Sequence, residues 1–298
     1  MVRVNILFLF WVIVVSSNAY GQRNALVFQS DFGLKDGAVA AMKGVAFSVS
    51  DDLRIFDVTH EIPAFNIWEA AYRLNQSVSY WPAGTVFVSI IDPGVGSSRR
   101  SIVAKMRSGH FVVTPDNGTL TLLAESLGIE EVREIDETKN RLKNSEKSYT
   151  FHGRDVYAYT GARLAAGVIT FEEVGGKITD DIVKLPYQKA VFDHNQVLGN
   201  IPVLDVQYGN VWTNIDRKTF QKLGIKKGGD VNVKITRNNK TIYEGRVPFA
   251  NTFAEVPQGK VVGYLNSLLN FSIAINAGNF AERHKVGSGP DWIIILER

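Results

Sequence analysis

The strongest structural constraint in this chain is a set of apolar runs that each end in an aspartate followed two residues later by glycine. The pattern occurs three times, and its aspartates are Asp31, Asp92 and Asp116. Continuous runs of β-branched and aromatic residues are typical of strands buried on both faces. In a parallel sheet of such strands, the ligand crevice lies at the carboxyl ends. The sequence therefore predicts carboxylates at the functional edge of an α/β sheet, beside glycine turns that let the backbone approach a ligand.

The chain up to about residue 190 alternates short apolar runs with helical patterns. A strand predicted at Leu53–Val58 is followed by an amphipathic helix at Ile67–Tyr80, and further helices are predicted at 36–49, 119–127 and 156–167. This alternation is typical of βαβ units and a mostly parallel sheet. We therefore predict an α/β N-terminal domain over residues 22–190.

The last third of the chain has a different sequence pattern. Residues 185–200 show little periodicity and are predicted to form a linker. Short strand patterns follow, separated by turn signals such as Tyr208-Gly209-Asn210 and Asn238-Asn239. Short, closely spaced strands are typical of a small antiparallel barrel or sandwich. We therefore predict an all-β C-terminal domain over residues 191–298.

The N-terminus has the pattern of a secretory signal peptide. Arg3 precedes a ten-residue apolar run, Ile6–Val15, and small residues follow at Ser17-Asn18-Ala19. This order is typical of a signal peptide, here residues 1–21 with cleavage near Ala19. The run is short for a membrane span of about 20 residues, and an uncleaved N-terminal anchor is the alternative. The sequence thus predicts export to the periplasm or exterior, with membrane contact only through an uncleaved segment.

Composition excludes several classes of function. The 298 residues contain no cysteine, which rules out disulfides, thiolate metal sites and a cysteine nucleophile. The formal charge is only +3, without a dense Lys/Arg cluster, so we expect no nucleic-acid partner. The histidines and aspartates lack metal-ligand spacing, and we predict no metal site. Nucleophile-elbow and Walker motifs are missing, and the Asp-Phe-Gly lacks the other protein-kinase motifs.

Two short segments carry candidate chemistry. Asp92 is followed by a glycine loop and then Arg99-Arg100, so the loop can fold a guanidinium back toward the carboxylate. The segment 150–155 places His152, Arg154 and Asp155 just before an alanine-rich helix. The alternatives are structural: Asp-x-Gly is a common turn former, the arginines can form a surface pair, and Asp155 can cap the helix.

Nine motifs in one order carry a family resemblance that covers residues 25–298. They are Ser30-Asp-Phe-Gly, Asp36-(x)₆-Lys43-Gly44, Asp57-(x)₂-His60, Gly84-Thr85, Asp92-Pro-Gly-Val-Gly-(x)₂-Arg99, Pro115-Asp-Asn-Gly, Phe151-His-Gly-Arg-Asp, Gly209-Asn-(x)₂-Thr-Asn214 and Asn266-Ser267. Together they resemble the S-adenosylmethionine hydroxide adenosyltransferases, which are adenosine-forming S-adenosylmethionine hydrolases. The same superfamily contains fluorinating and chlorinating enzymes.

The resemblance implies an α/β N-terminal domain, a C-terminal β-barrel and a homotrimer whose site lies between the N-domain of one subunit and the C-domain of the next. S-adenosylmethionine is then the substrate, without a further cofactor. The catalytic set that prepares hydroxide falls on Asp92, Arg99 and His152. The residues implied in substrate binding are Asp31 for the ribose hydroxyls, Phe65 as an aromatic neighbour, Asp205 for the methionine ammonium, and Asn210, Ser267 and Ala277 around the adenine and the amino-acid end.

Three other functions stay open from the sequence. The related halogenases lack the Asp-Arg-His set and carry an uncharged residue at the position of Asp92, so a carboxylate there argues against halide binding. The predicted signal peptide leaves open an exported protein that binds S-adenosylmethionine or adenosine without turnover, or an enzyme acting on another nucleoside-like compound. Leu268, Leu269 and Ile275 are apolar where halogenating relatives place arginines or smaller residues, which leaves recognition of the methionine carboxylate undefined.

Overall fold

The structure is a computed structural model that describes residues 25–298. The predicted signal peptide, residues 1–21, lies outside the described residues. Within residues 25–298, no helix combines the length and the apolar character that crossing a bilayer requires.

A six-stranded mixed sheet forms the centre of the N-terminal region. Its strand order is β2-β1-β3-β5-β4-β6, with β2, β1, β3 and β5 parallel and β4 antiparallel to both of its neighbours. The strands are β1 (Ala25–Ser30), β2 (Arg54–Thr59), β3 (Val86–Ile90), β4 (Ser101–Met106), β5 (Phe111–Pro115) and β6 (Ile129–Glu134). The predicted parallel strands are present, but β4 and β6 were missed, so the sheet is mixed.

Helices cover both faces of this sheet. They are α1 (Ala38–Val49), α2 (Ile67–Ser77), α3 (Thr121–Ser126) and α4 (Tyr159–Ala165), with 3₁₀ turns at Val78–Tyr80 and Glu172–Val174 and a π-helical turn at Gly153–Ala158. Leu26 and Phe28 face a core formed with α1 and α4. Val27 and Phe87 face the opposite core, formed with α2 and α3. Alternate residues of β1 are thus buried on opposite faces, as its continuous apolar run predicts.

Two antiparallel sheets form the C-terminal region. Their strand orders are β12-β11-β15-β8-β7 and β13-β14-β10-β9. The elements are β7 (Val191–Asp193), β8 (Gln196–Ile201), β9 (Val203–Leu204), β10 (Val211–Asp216), α5 (Arg217–Gln221), β11 (Asp230–Arg237), β12 (Lys240–Pro248), a 3₁₀ turn (Phe253–Glu255), β13 (Val261–Leu265), β14 (Asn270–Ile275), α6 (Phe280–His284) and β15 (Gly289–Glu297). The predicted antiparallel strands are confirmed, with the short helices α5 and α6 in addition, whereas closure into a barrel stays a prediction.

The predicted linker at residues 185–200 was partly wrong, because its second half contains β7 and most of β8. These strands pair with each other through Val191 and Leu198, and β8 continues the pairing onto β15. Val197 is fully buried in the C-terminal core. The apolar residues of this hairpin occur as two short pairs, Val191-Phe192 and Val197-Leu198, separated by four polar residues, which explains why it lacked a clear strand pattern.

Candidate active site

The three aspartates of the Asp-x-Gly pattern lie at one edge of the N-terminal sheet. The strands that precede them, β1, β3 and β5, are adjacent and parallel. Their carboxyl ends therefore meet at the same edge, which is where α/β proteins bind ligands. Asp31, Asp92 and Asp116 nevertheless have different partners.

Asp92 forms a bidentate ion pair with Arg99. The arginine Nε donates to Oδ1 at 2.8 Å and Nη2 donates to Oδ2 at 2.5 Å. Both side chains are well shielded, with 7% of Asp92 and 11% of Arg99 exposed. The glycine loop between them brings the guanidinium back toward the carboxylate, as the sequence predicted. A bidentate ion pair that is shielded from water holds the guanidinium in a fixed orientation.

Residues behind Arg99 fix the other side of its guanidinium. Nη1 donates to Ser101 Oγ at 2.9 Å, and the guanidinium carbon lies 5.5 Å from the centre of the Tyr157 ring. Burial alone would lower the pKa of Arg99, but the hydrogen bonds to Asp92 and the nearby Tyr157 and Glu137 raise it. Arg99 is therefore a permanent cation in a partly dehydrated position. Sequence reasoning missed Ser101 and Tyr157, since neither belongs to a recognisable motif.

His152 completes the cluster from a segment 53 positions along the chain. Arg99 Nη2 lies 3.1 Å from His152 Nδ1. Because a guanidinium can only donate, Nδ1 accepts, and the neutral ring carries its proton on Nε2. That Nε2 is buried and has no hydrogen-bond partner among residues 25–298. A buried, unpartnered donor beside a fixed cation is an arrangement suited to holding an oxygen nucleophile.

The environment of His152 keeps its ring neutral. Burial lowers the pKa of His152 below its usual value of 6.5. Glu137 and Asp92 oppose this shift, while Arg99 and Arg141 strengthen it. The π-helical turn that begins just after His152, at Gly153, is a distortion often found at functional sites. The alanine-rich helix predicted from residue 156 thus begins earlier, as this turn, and Asp155 pairs with Arg154 instead of capping it.

A second group surrounds Asp31, at the end of β1. Asp31 Oδ2 accepts a hydrogen bond of 2.8 Å from the backbone N–H of Phe65. Phe65 has a φ of +67°, a region that bulky residues rarely adopt. Gly33 also has a φ of +67°, and its N–H donates to the carbonyl of His60 at 2.7 Å. The segment that follows β2 therefore holds the Asp31 turn from two sides.

The Asp31 turn contacts the His152 segment through an aromatic pair. The rings of Phe32 and Phe151 are 5.7 Å apart in an edge-on arrangement. The ring of Phe32 also lies so close to Gly153 that a Cβ there would approach it to 3.0 Å. The structure thus brings together four predicted residues, Asp31, Asp92, Arg99 and His152, at one edge of the sheet, with the exposed ring of Phe65 beside them.

The C-terminal candidates form a separate group. Asn210 Nδ2 donates to Asp205 Oδ2 at 3.0 Å, and the backbones of the two residues are also hydrogen-bonded. Asn210 and Ala277 line a cavity of about 510 Å³ together with Tyr208, Phe253 and Ile275. Ala277 has a φ of +54°, which turns the chain sharply after β14. This cavity has an aromatic and amide lining, suited to a planar heterocycle.

Ser267 is found in a different cavity from Asn210 and Ala277. It lines a cavity of about 650 Å³ between α2 and the loop before β14, with Arg73, Trp81 and Leu268. Across residues 25–298, no hydrogen bond, ion pair or ring contact joins the Asp31–Asp92–Arg99–His152 group to the Asp205–Asn210–Ala277 group. Among the described residues of one chain, the two groups are therefore separate in their polar and ring contacts.

Asp116 has structural partners. Its Oδ2 accepts from Arg100 Nη2 at 2.6 Å, and its Oδ1 accepts from the backbone N–H of Val183 at 2.9 Å. These bonds tie the end of β5 to the segment that leads into the C-terminal region.

Over the described residues, no group of three or more histidine, aspartate or glutamate side chains is arranged to hold a metal ion.

The fold and the site together define a class: a two-part protein in which an α/β region carries a shielded Asp-Arg-His cluster and an antiparallel β region carries a cavity. Sequence models of the N-terminal and C-terminal domains of the SAM hydroxide adenosyltransferases match residues 26–175 and 199–293. The chain belongs to the SAM hydroxide adenosyltransferase family.

Named relatives and a solved structure agree with this assignment. The chain is 39% identical to an (R)-S-adenosyl-L-methionine hydrolase of Methanocaldococcus jannaschii, over 66% of this chain and 69% of that protein. It is 30% identical to a fluorinase of Nocardia brasiliensis, over 90% of this chain and 96% of that protein. A crystal structure of an uncharacterised conserved protein from Thermotoga maritima matches with a TM-score of 0.83 and 33% identity, covering 92% of this chain and all of that one.

Proposed function

We propose that this protein hydrolyses S-adenosyl-L-methionine to adenosine and L-methionine. The observation that supports this function most directly is the Asp92–Arg99–His152 cluster. In it, a fixed cation contacts an imidazole ring whose buried N–H has no partner among the described residues. In the proposed reaction a water-derived oxygen attacks C5′ of the ribose, the C5′–S bond breaks, and one proton leaves to solvent. Methionine departs as a neutral thioether, so the leaving group needs no acid.

The cluster addresses the difficult part of this reaction, the nucleophile. Bulk water has a pKa of about 15.7. The nearby charge of Arg99 and the hydrogen bond from His152 Nε2–H both favour the deprotonated form of a water that binds at Nε2. Asp92 orients Arg99 and balances its charge. Attack of hydroxide on a sulfonium removes both charges in the transition state, so a partly dehydrated site favours the reaction.

The remaining candidates serve substrate binding in this proposal. Asp31 accepts hydrogen bonds from the ribose diol, as acidic residues do for ribose in other nucleotide sites. The exposed ring of Phe65 presents a face to the sulfonium. Asp205 pairs with the methionine ammonium, and the cavity at Asn210 and Ala277 receives the adenine. Ser267 contacts the amino-acid end. The proposed reaction uses no metal or separate cofactor.

A homotrimer that joins the two groups, as half-sites of one active site, across subunits is part of the same proposal. Among the described residues of one chain, no hydrogen bond, ion pair or ring contact joins the two half-sites, and large apolar side chains are exposed in both halves. The exposed fractions are 66% for Leu34, 56% for Tyr149, 80% for Val206 and 65% for Tyr208. Burial of these side chains against a neighbouring subunit would remove apolar surface from water. We further infer domains at residues 22–190 and 191–298, closure of the second into a barrel, and export after cleavage near Ala19.

The product mixture in the presence of chloride tests hydrolysis against halogenation. We expect purified protein incubated with S-adenosylmethionine and molar chloride to release only adenosine and methionine, because the Asp92 carboxylate repels a halide. Chromatography against authentic standards identifies the products. A 5′-chlorinated nucleoside would contradict the hydrolase proposal, and binding of substrate without any product would support an exported binding protein.

The pH dependence of hydrolysis tests the neutral form of His152. Burial lowers the pKa of His152 below 6.5, and only the neutral ring can accept from Arg99. Activity should therefore be constant above pH 6.5 and fall only as the pH drops through this lowered pKa. In His152→Gln we expect a slower rate without this acid limb. An acid limb with its midpoint above pH 6.5 would contradict the assigned role.

Replacing Phe65 tests its contact with the sulfonium. We expect Phe65→Gly to raise the KM for S-adenosylmethionine about 2- to 30-fold, the loss of a cation–π contact of about 0.5–2 kcal/mol. The melting temperature should change little, because relief of about 1–2 kcal/mol of backbone strain offsets the greater freedom of glycine in the unfolded chain. Phe47→Ala, at an exposed ring on α1, is the control and should keep the wild-type KM. An unchanged KM in Phe65→Gly would remove Phe65 from the site.

A further inference from the structure

A line of four polar side chains leads from α1 to the Asp31 turn. Lys43 Nζ donates to Asp57 Oδ2 at 2.6 Å, and Asp57 Oδ1 lies 3.1 Å from His60 Nε2. His60 Nδ1 lies 2.7 Å from Ser30 Oγ. Lys43 and Asp57 are partly exposed, whereas His60 and Ser30 are 4% and 0% exposed. The chemistry proposed above uses none of the four.

The charges at one end fix the direction of every hydrogen bond in this line. The Asp57 carboxylate can only accept, so His60 carries its proton on Nε2 and donates it to Asp57. Nδ1 then accepts from the Ser30 hydroxyl. Burial lowers the pKa of His60, which keeps the ring in this neutral form. The Ser30 oxygen keeps a lone pair for a further donor.

That donor belongs to the Asp31 turn. The backbone N–H of Phe32 donates to Ser30 Oγ at 3.3 Å, and the N–H of Gly33 donates to the His60 carbonyl at 2.7 Å. His60 therefore holds the turn twice, once through its ring and Ser30 and once through its own carbonyl. Asp31 lies between Ser30 and Phe32, the two residues joined by the first of these bonds. Its carboxylate is also held by the backbone N–H of Phe65.

A serine-protease type of reaction does not fit this line. Serine, histidine and aspartate are in hydrogen-bond order, as in a catalytic triad. A nucleophilic serine must reach its substrate, however, and Ser30 is completely buried within β1. The line has a charged, partly exposed end at Lys43 and a buried end at the turn, which suits support of the turn rather than nucleophilic attack.

We propose that His60 is a positioning residue that, through Ser30, holds Asp31 in the geometry that distinguishes a ribose from a deoxyribose. The inference rests on the proposed function, since it takes Asp31 as the ribose-binding carboxylate. A carboxylate that accepts from a vicinal diol needs both oxygens aimed at it, and a small rotation of the turn misplaces them. The Lys43–Asp57 pair fixes the His60 tautomer on which the Ser30 bond depends.

The test compares binding of adenosine and 2′-deoxyadenosine to the full chain by isothermal titration calorimetry. We expect the wild type to prefer adenosine about tenfold or more, the value of one hydrogen bond to a charged group. In His60→Ala the preference for adenosine should fall to about threefold or less, because adenosine binds more weakly. His60→Asn should restore part of the preference, because the asparagine amide oxygen lies near the position of the histidine Nδ1. Ser30→Ala removes only the hydroxyl and should repeat the loss in a variant that stays folded.

Matched controls separate positioning from general stability. His110 is also 4% exposed, with both ring nitrogens engaged by Ser108 and the carbonyl of Trp81. Ser89 on β3 is as buried as Ser30 and also has one side-chain partner, Gln29. His110→Ala and Ser89→Ala should keep the full preference for adenosine while lowering the melting temperature.

The outcomes distinguish this inference from the proposed function. The positioning role alone would be overturned if His60→Ala and Ser30→Ala both kept the full preference for adenosine. It would also be overturned if His110→Ala and Ser89→Ala lost the preference equally. A wild type that does not bind adenosine, or binds both nucleosides equally, would overturn the ribose assignment of Asp31 and the proposed function with it.

Discussion

Replacing Arg99 by methionine is expected to lower the turnover number for S-adenosylmethionine hydrolysis by a factor of about 10²–10⁴, the usual contribution of a group that activates a nucleophile. The variant loses both bonds to Asp92 and the donor to His152 Nδ1. It also leaves a carboxylate that is only 7% exposed without its counter-charge. Asp92→Asn should have a similar effect, because the guanidinium then loses its orientation. Turnover is measured as adenosine release at saturating substrate.

The neighbouring arginine provides a matched control. Arg100 also pairs with an aspartate through two nitrogens, which donate to a single oxygen, Asp116 Oδ2, at 3.0 and 2.6 Å. Arg100→Met should lower the melting temperature, because Asp116 is left buried and unpaired. Its turnover number should stay near that of the wild type. Equal turnover numbers for Arg99→Met and Arg100→Met would mean that Arg99 serves the fold and not the reaction.

Mixing two inactive variants is expected to restore activity if each site is shared between subunits. Asp92→Asn removes the N-terminal half-site, and the double variant Asp205→Ala/Asn210→Ala removes the C-terminal one. In randomly mixed trimers, about one quarter of the sites then combine an intact half from each variant. Co-expression with two affinity tags and sequential purification isolates the mixed assemblies. Each purified mixed trimer has one intact site in three, so its activity should reach about one third of the wild-type value, far above either variant alone.

A second pair of variants controls for unspecific recovery. Asp92→Asn and Arg99→Met both damage the N-terminal half-site, so their mixture should stay as inactive as its components. If the first mixture also stays inactive while mixed assemblies are recovered, the half-sites are completed within one chain. Recovery in both mixtures would indicate that the assembly itself, and not the shared site, restores activity.

The sequence predicted the features that depend on local pattern. Buried strands are recognisable from their continuous apolar runs, and this placed Asp31 and Asp92 at the correct edge of the sheet. The approach of Arg99 to Asp92 was predictable because only seven positions and a glycine loop separate them. The helix Ala38–Val49 agrees with its predicted span of 36–49, but its buried face is formed by Val39, Met42 and Ala46 instead of the expected Ala38, Ala41 and Val45.

Features that depend on packing between distant segments were not predictable from pattern. His152 reaches Arg99 across 53 positions, and the tautomer of its ring follows from that contact. The strand Ile129–Glu134 was missed because charged residues interrupt its apolar pattern, and Ser101–Met106 was missed because its apolar run before Lys105 is short. The line from Lys43 to Ser30 joins three separate elements and is visible only after they fold. The motif Asp57-(x)₂-His60 was noted in sequence, but its use became clear from the hydrogen bonds.

The origin of the new oxygen in adenosine tests the central claim most directly. The reaction is run in water labelled with ¹⁸O, and the adenosine is analysed by mass spectrometry. Attack of a water-derived oxygen on C5′ predicts one labelled oxygen, at the 5′-hydroxyl, in every adenosine released, with unlabelled methionine as the other product. Release of unlabelled adenosine, or of a 5′-substituted nucleoside in its place, would contradict hydrolysis at C5′ and the role assigned to Asp92, Arg99 and His152.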